Sequence, residues 1–101
     1  MAWDLGKAMR KKEEFESARL MDFAFRQRAR ATRMLARSYD LDEGALVAET
    51  ALRDEGGIIA MVGELSGRDE NAIWSEYHRC LVEARAELIA ERGDPTPYRL
   101  G

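Results

Sequence analysis

Residues 11–39, KKEEFESARLMDFAFRQRARATRMLARSY, decide the fold. The stretch contains no Gly or Pro and is rich in Ala, Arg, Glu and Met, so it predicts one long helix from about Lys11 to Arg37 or Tyr39. At 100° per residue, Lys12, Arg19, Arg26, Arg30, Arg33 and Arg37 fall within about 60° of one another. The opposite arc holds Leu20, Met21, Ala24, Phe25, Ala31, Thr32, Leu35 and Tyr39. Phe23 and Met34 widen that arc to about 200°, more than one neighbouring helix can cover. The expectation is therefore a helix packed against helices 2 and 4 on two flanks, with a cationic ridge outward. Arg28 lies inside the apolar arc, where it must snorkel to an edge or pair with a helix 4 carboxylate such as Glu83 or Glu87.

Working outward, the remainder reads as three further helices and almost no strand. Asp42 caps a second helix over Glu43–Arg53, with an apolar line of Leu41, Ala45, Ala48 and Leu52. Gly56-Gly57 stops it in the manner of a left-handed cap. A short third helix, Ile58–Leu65, presents Ile58, Ile59, Met61, Val62 and Leu65. Ser66-Gly67 ends it, and Ser66 or Asp69 caps a fourth helix over Glu70–Arg92 with a stripe of Ile73, Tyr77, Leu81, Ala84 and Leu88. Gly44 and Gly63 fall inside helices 2 and 3. The whole predicts an all-α four-helix bundle with one long N-terminal helix, short helices 2 and 3, and a long helix 4. Around a body of residues 15–92 stand a mobile polar arm, 1–14, frayed over 1–10, and a disordered tail, 93–101, with Pro95 and Pro97.

Length and charge bound the function. The chain has 101 residues, 46% of them apolar and 35% charged, which suits one soluble domain with a modest core. Its net charge of −3 conceals a basic first part, 1–37, with ten Lys/Arg against five Asp/Glu, and an acidic remainder with six against fourteen. The two parts attract each other, so the acidic part is expected to neutralise some of the ridge. Asp4, Lys7, Arg10, Lys11 and Lys12 interrupt any apolar leader, and no run approaches a membrane span of about 20 residues. One cysteine, Cys80, allows no internal disulfide and fits a reducing compartment. These features lead us to expect a cytoplasmic protein that does not insert into membranes.

Nothing reads as a catalytic or cofactor site. His78 and Cys80 stand two residues apart and point to different helix faces, so they cannot share a metal; His78 reads as solvent-facing and Cys80 as a small buried hydrophobe. The glycines lack the Gly-Lys-Ser/Thr of a phosphate loop. Trp74 and Tyr77 are spaced for the core rather than for recognition. No enzyme activity, metal or cofactor is therefore expected. The arginine ridge suits phosphates or an acidic protein surface. Asp22, flanking Arg19 and Arg26, blunts it, and with the overall acidity makes nucleic acid the poorer partner. Ile58–Leu81 also has the outline of a helix-turn-helix, a small DNA-binding or transcription-associated module that would use Arg68 and Arg79. Its second helix, however, opens Asp69-Glu70-Asn71, with two carboxylates towards the phosphates.

Phe25-Arg-Gln-Arg-Ala-Arg-Ala-Thr-Arg-Met-Leu35 resembles the segment F-(K/R)-x-x-A-R-R-N-(K/R)-L-L of the small ATPase-inhibitor zeta subunit family of alphaproteobacteria. Glu14-Phe15-Glu16 is similar to that family's upstream Glu/Phe-rich stretch, and the order of elements over residues 11–91 is similar too. The family's Arg-Arg-Asn is Arg30-Ala31-Thr32 here. The resemblance implies a small regulator that binds the F1 sector of ATP synthase and inhibits ATP hydrolysis by inserting its N-terminal arm. The residues it places at the partner are Lys7, Arg10, Lys11, Lys12, Glu13, Glu14 and Phe15 in the arm. Along the ridge they are Arg19, Arg26, Arg30, Arg33 and Arg37. A helix wedged between rotating and static subunits needs no catalytic side chain.

Overall fold

Among the described residues four helices follow one another: α1 (Leu5–Ser38), α2 (Glu43–Thr50), α3 (Glu55–Ser66) and α4 (Glu70–Arg92). They come from a computed structural model that describes residues 5–96, with side chains from residue 14 onward. Residues 1–4 of the expected arm and 97–101 of the expected tail lie outside the described residues, as do the side chains of Lys7, Arg10, Lys11, Lys12 and Glu13. The all-α class and the long-short-short-long order agree with the sequence reading.

The first helix begins at Leu5 rather than near Lys11. Lys7, Ala8, Met9 and Arg10 are good helix formers with no proline or capping residue among them, and extending an existing helix costs little per residue. Its 34 residues span about 50 Å. This accounts for much of a molecule measuring 65 × 26 × 22 Å. The other end is closed by a Schellman turn. Asp40 takes φ 55°, and the Leu41 N–H donates to the Ala36 carbonyl at 2.8 Å.

Three aspartates start the remaining helices in the same way. Asp42, Asp54 and Asp69 accept from the amides of Ala45, Gly57 and Ala72, three residues on, at 2.7, 2.8 and 3.3 Å. Glu43, Glu55 and Glu70 follow them in the first turn, favourable to the helix dipole. The cap at Asp54 corrects the expected boundaries. Gly56 and Gly57 do not stop α2 in a left-handed turn; they belong to the first turn of α3, and α2 ends at Thr50, not Arg53. Glycine at 57 answers crowding, because a Cβ there would stand 2.9 Å from Arg53 Cβ. The left-handed cap lies instead at Gly67, φ 68°, which ends α3.

The core joins Ala31, Leu35 and Ala36 of α1 to Leu46 of α2, Ile58, Ile59 and Val62 of α3, and Ile73, Tyr77, Cys80 and Ala84 of α4. As the width of its apolar arc predicts, α1 packs on both α4 and α2, while α3 packs on α4. Of the apolar line expected for α2, Ala45, Ala48 and Leu52 are exposed. The buried pair is Leu46 and Thr50, and the Thr50 side of α2 lies against Arg28, Ala29 and Thr32 of α1. Thr50 satisfies its hydroxyl on the Leu46 carbonyl, and Thr32 on that of Arg28. Arg28 pairs with neither Glu83 nor Glu87. Its guanidinium donates to the Thr50 carbonyl at 3.3 Å, which also accepts the Arg53 N–H at 3.0 Å in the turn after α2.

Candidate functional site

Since α1 is one uninterrupted helix, its two sides can be followed along its length. On the apolar side, Ala31, Thr32, Leu35 and Ala36 are buried. The same face continues towards the N-terminus through Phe25, which borders Val47, Thr50 and Ala51 at the end of α2, and then through Ala24, Met21 and Leu20. Phe25 is 64% exposed, Met21 73% and Leu20 41%, so the expectation that these residues pack inside the bundle is corrected. Helical periodicity fixes which way a side chain points, not how far along the helix its neighbours extend. Phe15 is exposed as well. Among the described side chains from Glu14 to Phe25, Phe23 is the buried one, near Gly93 and Pro95 beyond α4.

The basic side borders a groove of about 460 Å³ between α1 and α4, floored by Ala29, Met34 and Leu88. Arg26, Arg30, Arg33 and Arg37 line it along α1. The acidic half of the chain does neutralise part of this ridge. Arg30 forms a two-pronged pair with Glu91 of α4, at 2.9 and 2.8 Å. That hydrogen-bonded contact raises the pKa of Arg30 and lowers that of Glu91. Arg37 binds Glu43 at 2.6 Å across the α1–α2 turn, and Arg26 binds Asp22 at 2.9 Å on its own helix. Arg19 and Arg33 are exposed and make no ion pair among the described residues. Of the arm residues with described side chains, Glu14 and Phe15 are exposed.

The other candidates take structural places. Cys80 is buried, and burial, reinforced by nearby Glu76, pushes its thiol up to about 11, so it stays protonated near neutral pH. Tyr77 is buried in the core and Trp74 is half-buried edge-on to it. His78 is exposed and stacks on Trp74 with ring centroids 6.0 Å apart. Arg79, required by a helix-turn-helix reading, is held by Glu76 and by Glu83, the latter at 2.7 Å. Glu76 also accepts from Ser38 Oγ at 2.7 Å, tying the end of α1 to α4. The Arg79 contact first, then Ser38, holds the Glu76 carboxyl down at about 2. Among the described residues no group of three His, Cys, Asp or Glu is placed to hold a metal, and no helix is long and apolar enough to cross a membrane.

Sequence reasoning missed Asp54 as a cap, although Asp54-Glu55-Gly56 repeats the wording of Asp42-Glu43-Gly44. It also missed a second groove, between α2 and α3, lined by Leu41, Ala45, Leu46, Met61 and Leu65. Compared with known proteins, the chain matches no family model, no curated protein and no solved structure.

Proposed function

We propose that this protein works by docking on another protein through the N-terminal half of α1, and that its partner is the F1 sector of an ATP synthase, whose ATP hydrolysis it inhibits. The observation that carries the docking reading is the apolar face of α1 running past the bundle, with Leu20, Met21 and Phe25 left in water. Burying Met21 or Phe25 on a partner would contribute at most about 1.5–3 kcal/mol, and Leu20, already more than half covered, less. The arm expected to enter the partner, residues 1–14, leads this half, whose helix from Leu5 to Asp22 is about 27 Å long. The C-terminal half of the same helix is rooted in the core, so a blocking arm would have a fixed mount. The choice of F1 rests on the resemblance over Phe25–Leu35 and on the order of helices. The ridge supplies rim charge, with Arg19 and Arg33 free to meet acidic groups.

The test is ATP hydrolysis by F1 from the same organism with increasing amounts of this protein. Hydrolysis falls with saturation and the protein co-elutes with F1; deleting residues 1–14 relieves inhibition while the bundle stays folded. Full turnover at saturating protein, without co-elution, rejects the F1 assignment.

A further inference from the structure

The apolar line read in the sequence of α2 begins with Leu41 and Ala45, yet it is not the side that the core buries. Both residues instead line a groove of about 470 Å³ between α2 and α3. The two short helices rest on different neighbours, α2 on α1 and α3 on α4, and the groove lies between them. Its lining includes the buried Leu46, the half-buried Met61 and, near the end of α3, Leu65, which is 61% exposed.

Every charged residue in that lining is a carboxylate: Asp42, Glu49 and Glu64. None of the three is in an ion pair among the described residues, although Asp42 also caps α2 by accepting from the Ala45 N–H. Their surroundings do not offset them. Residues 42–66 hold six Asp/Glu against one Arg, and only Glu43 of the six is paired, with Arg37 of α1. The groove beside the arginine ridge has the opposite character, with five arginines lining it against Glu87 and Glu91. A partner suited to one groove is disfavoured at the other.

Size narrows the occupant further. The eight residues of α2 give about 12 Å of axis, which matches two turns of a partner helix. Two apolar side chains one turn apart, at i and i+4, would then cover Leu46 and Leu65, and cations on the flanks of that helix would meet Glu49 and Glu64.

We infer that the α2–α3 groove docks an amphipathic helix of another protein, one that carries two apolar anchors a turn apart with Lys or Arg on its flanks. The inference goes beyond the F1 assignment and uses neither it nor the exposed stripe of α1. It gives the molecule a second docking face, opposite in sign to the ridge.

Fluorescence anisotropy with a defined probe tests it. The probe is a labelled helical peptide of about 18 residues made of Leu, Ala and Lys, with Leu at i and i+4 and Lys on both flanks. A control peptide has Glu at every Lys position. The Lys peptide binds the full chain, and the Glu peptide binds at least about tenfold more weakly. Glu64→Lys weakens the Lys peptide several-fold more than Glu87→Lys, which makes the same change in net charge beside the arginine ridge. Leu65→Glu weakens it at least about fivefold, although added negative charge by itself would tighten it. All three positions are exposed, and circular dichroism stays unchanged; the two peptides and the two Glu→Lys variants decide the question even where Leu65→Glu disturbs the fold. A Lys peptide that does not bind at about 0.5 mM chain overturns the inference. Equal binding of the two peptides overturns it too, as do equal effects of Glu64→Lys and Glu87→Lys, which would mean bulk attraction alone. An unmodified chain that dimerises in sedimentation velocity, with dimerisation lost in Leu65→Glu, overturns it in favour of a second copy in the groove.

Discussion

The two stretches of α1 on either side of Phe25 share one apolar stripe, yet one is core and the other largely surface. From Gln27 to Ser38 its inward face meets α4 and α2, and Ala31, Leu35 and Ala36 are shut off from water. From Glu14 to Ala24 the same face continues, and Leu20 and Met21 stand in solvent. Helical pattern is a property of the segment, whereas burial belongs to the pair of surfaces that meet. An amphipathic helix longer than its own bundle therefore announces a missing surface.

The strongest way to break this contrast is to empty each half in turn. Leu35→Ala is expected to cost about 3 kcal/mol, and Met21→Ala to stay within about 0.5 kcal/mol, by urea denaturation monitored by circular dichroism. Equal costs would mean that the leading half is already covered in solution. The boundary of the rooted half can be sharpened next. Asp40 sits at φ 55°, a conformation glycine adopts without strain, so Asp40→Gly is expected to stabilise by about 1 kcal/mol in the same measurement.

The clasp between Ser38 and Glu76 gives a pH signature confined to the rooted half. Glu76 is held at about 2 against an ordinary 4.5, so its contribution to stability is fully present above the ordinary value and fades as pH falls through the lowered one. Glu76→Gln should flatten the loss of stability between pH 4.5 and 2, as followed by thermal melts across that range. The smallest effect belongs to the Arg30–Glu91 pair. Both partners reach water, and Glu91→Gln is expected to shift the urea midpoint only slightly, and less in high salt.

Much of the architecture was legible because short-range chemistry sets it. The Ala- and Arg-rich run without breakers gave α1, Asp42 and Gly67 marked helix ends, and the Ile73–Leu88 stripe gave the buried side of α4. Where two local signals competed, the text was ambiguous. Gly56-Gly57 looks like a stop until Asp54 is recognised as a cap. The line Leu41–Ala45–Ala48–Leu52 is apolar but lies about 150° around the helix from Leu46 and Thr50, which are buried. The destination of Arg28 lay beyond sequence altogether, since its acceptor is a backbone carbonyl and has no residue-type signature. The candidate site was half legible. The ridge was visible as a charge pattern, but its partial neutralisation by Glu91 and Glu43 and the exposure of Phe25 depend on where the chain folds back.

The unbroken backbone of α1 also has a mechanical corollary. Between Lys7 and Ser38 it offers no glycine or proline at which to flex, so a twist applied at the tip travels down the rod to the Ser38–Glu76 clasp. Two spin labels, one near residue 17 and one on α4, would keep a single narrow separation when the tip is loaded, and the whole chain would turn as one stiff lever.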